Sequence, residues 1–316
     1  MCFKDEIGMK AFILDRYGSD GVRAGEMPDP ELHDDDVLVQ IYAASVNPVD
    51  LKIRDGKLKL VLPYRLPFVL GNDLAGVVVR VGSGVRRFKP GDEVYARPDK
   101  DRMGAFAEFI SIKEDAVANK PKQLTMEEAA SIPLVGLTAW QALIERAKLQ
   151  RGQKVLIHAG SGGVGTFAIQ LAKHVGAIVA TTTSTANLDW VKHLGADIVI
   201  DYKKDDFETI LRDYDAVLDT LGGETLEKSL RVLRPGGKLI SISGPPDPDF
   251  AKEIGATWIV GLAMRLLSYR IRRSAKRHHV SYSFLFMRPS GDQLREIGSL
   301  IDSGAITTCG GSRLSV

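Results

Sequence analysis

Residues Lys154 to Ala177 read KVLIHAGSGGVGTFAIQLAKHVGA. Val155 to Ile157 form a short apolar run, the pattern of a buried strand. Gly160, Gly162 and Gly165 follow in G-x-G-x-x-G spacing, and then apolar residues recur at Val164, Phe167, Ala168, Leu171 and Val175, which is helical spacing. A glycine turn between a strand and a helix is the context in which this motif binds a dinucleotide. Gly160 permits the tight turn, Gly162 lets the backbone approach a pyrophosphate, and Gly165 lets helix and strand pack closely. Ser161, Gly163 and Val164 complete the loop, and the helix N-terminus offers unpaired N–H groups to the phosphates.

The rest of the second half alternates strand and helix patterns, as a parallel sheet covered by helices requires. Strands are expected at 154–159, 178–183, 197–202, 214–220, 237–243 and 281–287, six in all, the number of a doubly wound dinucleotide fold. Such sheets bind ligands at the carboxyl ends of their strands, which brings Asp219, Thr220, Ser243 and Gly244 towards the cofactor. The first half reads as short strands between turn signals, with strands expected over 37–43, 74–81 and 105–112 and a turn at Lys89-Pro-Gly-Asp feeding another. Thr125-Met-Glu-Glu is a capping box that opens helical pattern.

Bulk properties exclude more than they assign. The 316 residues suffice for two domains, and a net charge of +2 gives no general signal for nucleic acid. No apolar run approaches the ~20 residues of a membrane span. The start, MCFKDEIGMKAFILD, lacks the apolar core of a signal peptide, and residues 1–8 read as an extension. Cys2 and Cys309 stand at opposite ends, which leaves no disulfide framework and no cysteine metal cluster. The expectation is a cytoplasmic protein. One compositional oddity is WIVGLAMRLLSYRIRRSAKRHH at 258–279, an amphipathic helical pattern followed by Arg and Lys with no acid. A surface excursion of the nucleotide domain is the plain reading; an anionic membrane surface or an acidic partner is the functional one.

NAD-selective folds carry an acid about 20 residues beyond the glycines to bind the ribose 2′-hydroxyl. Here the second strand ends Thr181-Thr182-Thr183-Ser184, and the next acid is Asp189. A row of hydroxyls, with Asn187 nearby and Tyr202, Lys203 and Lys204 after the third strand, favours NADP. Alternatively these hydroxyls only cap a helix, with Ser184 as N-cap.

N-P-V-D at 47–50 followed by Lys52, G-N-D-L-A-G-V-V at 71–78, K-P-G-D-E-V-Y at 89–95, G-A-F-A-E-F at 104–109, L-V-G-L-T-A-W at 134–140, the glycine turn and L-G-A-D at 194–197 lie in order along the chain. Together they resemble the medium-chain dehydrogenase/reductase superfamily on its zinc-free quinone oxidoreductase (zeta-crystallin-like) branch, nearest the NADPH-dependent enone and alkenal reductases. The resemblance implies a mixed α/β chain: a GroES-like β-rich domain over 1–123, a Rossmann-type doubly wound NADP-binding domain over 124–303, and an active site in the cleft between them. It implies that Asn47 and Thr138 position the nicotinamide and its ribose. It also implies that Asp50 and Lys52 lie beside the substrate. Lys52 then stabilises negative charge on the substrate oxygen, with Asp50 holding it in place; a surface lysine paired with its neighbour is the alternative. Tyr64 shapes the pocket or delivers a proton, or simply packs. Val164, Gly244 and Phe286 line the nicotinamide site.

Positions where zinc-dependent relatives carry Cys and His ligands hold neither here, and a zinc site needs three or four placed ligands. The expected activity is therefore NADPH-dependent, metal-free reduction of small α,β-unsaturated carbonyls or quinones, with one-electron quinone reduction left open, by a homodimer with no nucleic-acid partner. From Ile306 to Val316 the sequence departs from the family, and 304–316 reads as an atypical, truncated segment. An NADPH-binding protein with little catalysis is accordingly the alternative.

Overall fold

The computed structural model describes residues 8–59 and 62–308. Both cysteines, and residues 309–316 of the atypical C-terminal segment, lie outside the described residues. The chain divides into two compact units, one of residues 1–137, 288–304 and 308–316, the other of 138–287 and 305–307.

The first unit begins with β1 (Met9–Leu14) and β2 (Val22–Met27), followed by the long β3 (Asp36–Ser45) and a short helix α1 (Pro48–Arg54). Next come β4 (Phe68–Val69), β5 (Asp73–Val81), β6 (Glu93–Ala96), β7 (Phe109–Lys113) and β8 (Val117–Asn119). β2-β1-β4 form one sheet and β7-β3-β5-β6-β8 a second, antiparallel and curled in the GroES-like manner. Val37, Val39, Leu74, Val78 and Val94 alternate inward between these strands. The stretch 105–112, expected as one strand, serves both sheets instead. The Phe106 carbonyl accepts from the Phe12 N–H, and the chain joins β3 only from Glu108, whose carbonyl accepts from the Ile41 N–H. Two further helices follow, α2 (Met126–Ala130) and α3 (Pro133–Trp140). The Thr125 capping box forms, with Glu128 N–H donating to Thr125 Oγ1 and Thr125 N–H to Glu128 Oε2.

The second unit carries β9 (Lys154–Ile157), α4 (Gly163–Val175), β10 (Ile178–Thr183), α5 (Leu188–His193), β11 (Ile198–Asp201), α6 (Phe207–Ile210), β12 (Tyr214–Asp219), α7 (Gly223–Val232) and β13 (Leu233–Ser241). α8 (Pro248–Glu253), α9 (Trp258–Leu267), α10 (Tyr269–Arg277) and β14 (Ser281–Phe284) complete it. Its six parallel strands run in the order β11-β10-β9-β12-β13-β14, so the crossover reverses beside β9. This is the doubly wound dinucleotide order, and the reversal opens a crevice at the carboxyl end of β9, where the glycine turn lies. Val155, Leu156, Ile157, Val217 and Leu218 are fully buried, as strands covered on both faces must be.

The last helix, α11 (Gly291–Asp302), belongs with the first unit. Tyr95 Oη donates to the Leu294 carbonyl at 2.5 Å, and α11 packs on β8. Residues 124–137 and 288–303, placed in the nucleotide domain by the linear reading, therefore pack with the β-rich unit.

Candidate functional site

In the second unit β9 delivers the chain to the glycine turn and α4 takes it away. A Cβ on Gly160 would stand 2.1 Å from Thr181 Oγ1, and one on Gly165 would stand 2.3 Å from the Ala159 carbonyl oxygen and 2.7 Å from Gly160 Cα. Both positions are closed to any side chain. Gly162, the N-cap of α4, meets only the Ala159 carbonyl at 3.3 Å, and both it and Gly163 are exposed. The turn thus has a packed inner side and an open outer side that presents the first N–H groups of α4, a cradle that fits a pyrophosphate.

At the end of β10 the hydroxyls do not form the open row expected. Thr181, Thr182 and Thr183 are buried. Thr181 Oγ1 donates to the Ile157 carbonyl, and Thr182 Oγ1 lies 3.1 Å from His158 Nδ1 and accepts from the Ala159 N–H. Thr182 is therefore structural rather than a ligand group. His158, not singled out in the sequence, is fully buried; its Nε2 lies 2.9 Å from Ser229 Oγ, and burial pushes its pKa down to about 3. It is a neutral ring with both nitrogens partnered. Thr182→Val should lower the free energy of unfolding by about 1–3 kcal/mol by stripping that partner. The same substitution should leave cofactor preference unchanged, as urea denaturation and KM ratios will show.

What remains beside the turn is a polar rim. Thr183 Oγ1 donates to Ser161 Oγ at 3.0 Å, and Asn187 Nδ2 donates to Ser161 Oγ at 3.2 Å and Ser184 Oγ at 3.3 Å. Ser184 stands at the N-cap of a single 3₁₀ turn, without a side-chain capping bond. Tyr202, Lys203 and Lys204 are exposed at the end of β11. Asp201, an acid the linear spacing hides, accepts from Thr185 Oγ1 at 2.6 Å and pairs with Lys204 at 3.8 Å. Asp189 is exposed on α5.

Thr220 Oγ1 donates to the His158 carbonyl, and Ser243 Oγ donates to the Thr220 carbonyl. Asp219 is buried, accepts from Ser241 Oγ and the Gly222 N–H, and has its pKa raised by that burial. It ties the ends of β12 and β13 together. Gly244 lies close under Tyr282, whose hydroxyl a Cβ there would meet at 2.6 Å. Val164 is half-buried at the start of α4. Phe286 packs with Phe250 in a cluster that includes Met264.

In the first unit a buried polar network surrounds the start of α1. Asn47, Asp50, Asn72, Asp73 and Arg97 are all buried. Asp50 reaches back to accept from the Asn47 N–H at 2.7 Å and from Asn72 Nδ2 at 2.6 Å. Asp73 accepts from Asn47 Nδ2 at 2.8 Å, Ser45 Oγ at 2.9 Å and the Leu134 N–H at 2.8 Å. The Asn47 amide is therefore held in one orientation. Burial raises the pKa of Asp50, and it pushes that of Asp73 up to about 7, with the Asp50 charge adding to it. Arg97, whose own pKa burial lowers, is the positive charge among them. It donates through Nη1 to the Pro98 carbonyl, while its Nε and the Tyr64 hydroxyl have no partner among the described residues.

The expected Asp50–Lys52 pair does not form. Asp50 faces inward and spends both oxygens on Asn47 and Asn72, whereas Lys52 is exposed. Residues two apart on a helix point to different sides. Tyr64 stacks on Phe68 with ring centroids 4.7 Å apart, and burial raises its pKa. Thr138 is buried on α3. Among the described residues no three His, Cys, Asp or Glu side chains are grouped to hold a metal ion.

Residues 33–122 match the alcohol dehydrogenase GroES-like domain family, and residues 194–314 match the zinc-binding dehydrogenase family. The chain is 34% identical to the mitochondrial NAD(P)H oxidoreductase RTN4IP1 of Danio rerio over 327 residues, covering 94% of this chain and 83% of that one. It is 43% identical over 250 residues to 2-methylene-furan-3-one reductase of Solanum lycopersicum, a match that takes in 76% of this chain and only 63% of that relative. Among solved structures, the quinone oxidoreductase from Coxiella burnetii superposes with a TM-score of 0.82 at 32% identity, covering 95% of this chain and 89% of that one.

Proposed function

Since the chain belongs to the medium-chain dehydrogenase/reductase family, among relatives of the zeta-crystallin-like quinone and enone reductases, we propose that it is an NADPH-dependent oxidoreductase. Its substrates are small α,β-unsaturated carbonyls or quinones. The observation that carries this reading is the glycine turn, closed inside by Gly160 and Gly165 and open outside at Gly162 and Gly163. The names of the relatives support the substrate class, since they include a furanone reductase and an NADPH-dependent alkenal/one oxidoreductase.

When bound, the reduced nicotinamide supplies the hydride. The chain's own residues bind and orient. The turn holds the pyrophosphate on backbone N–H groups, and Ser161, Ser184 and Asn187 form a polar rim for the adenosine ribose. Lys203 and Lys204 supply positive charge for a 2′-phosphate. Asn47, fixed by Asp73 and Ser45, is a preorganised amide donor, and Lys52 offers an exposed ammonium, without an ion pair among the described residues, to the charge that develops on a substrate oxygen.

The deciding experiment follows NADPH oxidation with a 2-alkenal, a cyclic enone, a naphthoquinone and a simple ketone. Saturable turnover of the enone, alkenal or quinone, but not of the ketone, is expected. Tight NADPH binding with no turnover of any of them would sink the reading. Lys203→Glu combined with Lys204→Glu should raise KM for NADPH about tenfold, equivalent to ~1.4 kcal/mol, with little change for NADH. Equal effects on both cofactors would place the 2′-phosphate elsewhere.

A further inference from the structure

The segment 258–279 folds as two helices whose outward faces differ in kind. On α9 only Met264 is buried, packing with Phe250 and Ala251 of α8. Trp258 is 78% exposed, Leu266 68% and Leu267 66%, and Ile259, Leu262 and Tyr269 are exposed beside them. α10 buries Ile271 and Ala275 against the core, so its outer surface is left to cations. Arg265, Arg270, Arg273, Lys276 and Arg277 are all exposed. No Asp or Glu occurs between Glu253 and Asp292, and of these five cations only Arg270 has an acidic partner among the described residues, Glu227 at 4.0 Å. An exposed apolar patch rimmed by unpaired charge marks an interaction surface.

We propose that α9 and α10 form a peripheral docking surface for an anionic lipid bilayer. An interfacial helix shows apolar and aromatic side chains on one face and Lys or Arg alongside, and it lies in the plane of the headgroups. Here Trp258 and Tyr269 bracket the apolar stripe, and their amphipathic rings suit the headgroup level. Leu262, Leu266 and Leu267 enter the acyl boundary, while the cations of α10 meet lipid phosphates. A groove between α8 and α9, lined by Ala251, Ala256, Trp258 and Leu262, continues the apolar surface. Charge selects this occupant over a second copy of the chain. A two-fold contact sets the same patch against itself, opposing five cations to five with no acid on the patch to relieve them.

The test uses the full chain with vesicles of phosphatidylcholine alone and of phosphatidylcholine containing phosphatidylserine, at low and high salt. Retention on the anionic vesicles should exceed that on neutral ones by about tenfold and should fall with salt, since exposed charges are screened. Leu262→Ser, Leu266→Ser and Leu267→Ser together should reduce retention at least about tenfold. Arg273→Glu, Lys276→Glu and Arg277→Glu should erase the preference for anionic lipid. Both triple variants should keep the parent melting temperature and NADPH affinity. Three outcomes overturn the proposal: no retention by the parent, equal retention on neutral and anionic vesicles, or retention that neither variant changes. A concentration-dependent dimer abolished by the serine variant, without vesicle binding, overturns it in favour of self-association.

Discussion

Gly162→Ala should yield a folded protein that binds NADPH about tenfold to a hundredfold more weakly, whereas Gly165→Ala should fail to fold stably. The two glycines sit three residues apart in one motif, yet their surroundings differ. At 162 the backbone has φ −82° and ψ 165°, which any residue adopts, and an added methyl meets only the Ala159 carbonyl at 3.3 Å. Relaxation by a few tenths of an ångström accommodates it. The same methyl stands on the open side of the turn, where a pyrophosphate must approach the backbone, so the cost falls on binding. At 165 the methyl meets two backbone atoms, the Ala159 oxygen at 2.3 Å and Gly160 Cα at 2.7 Å, and neither swings aside as a side chain does. α4 must move off β9, although Phe167, Ala168 and Leu171 are buried beneath it. Overpacking of this kind costs about 1–3 kcal/mol or more. Denaturation midpoints and NADPH titration of the two variants separate the effects. If Gly162→Ala bound NADPH like the parent, the turn would not be the pyrophosphate site.

The contrast shows why the nucleotide unit could be read from the chain. β9, the turn and α4 are contiguous, and apolar runs mark β9, β10, β11 and β12, so local pattern and final topology agree there. Contacts across long separations were hidden. His158 is partnered by Thr182, 24 residues on, and by Ser229, 71 residues on, which turned an expected cofactor hydroxyl into a structural one. Asp201 reaches Thr185 only because β10 and β11 are neighbours in the sheet. In the first unit Asp50 and Lys52 are adjacent in the motif but separated by helical geometry. Arg97 carried no sequence signal at all, since an arginine reads as surface until a structure shows it buried among carboxylates.

Asp73→Asn should change how stability depends on pH more than it changes the fold. Three donors converge on Asp73 in a site with no exposure, and burial pushes its pKa to about 7 in the folded state against 3.8 for a free aspartate side chain. A raised pKa gives a definite sign. Below the unfolded value both states hold the proton and the contribution of Asp73 is complete. As pH rises towards 7 the unfolded chain releases the proton while the folded chain keeps it, so that contribution is lost, at about 1.4 kcal/mol per pH unit at most. Above the folded value both states are ionised and the dependence stops. The stability difference between parent and Asp73→Asn should therefore shrink by about 2 kcal/mol from about pH 5 to about pH 7 and level off above about pH 8. Asparagine also sets an N–H₂ against one of the three donors, a constant penalty of about 1–3 kcal/mol that leaves the slope untouched. Because the same carboxylate orients the Asn47 amide, kcat should fall in the variant by more than NADPH affinity does. A difference that stays level from pH 5 to 7 would mean that the three donors and Arg97 keep Asp73 ionised throughout, and that Asn47 is held by a permanent charge.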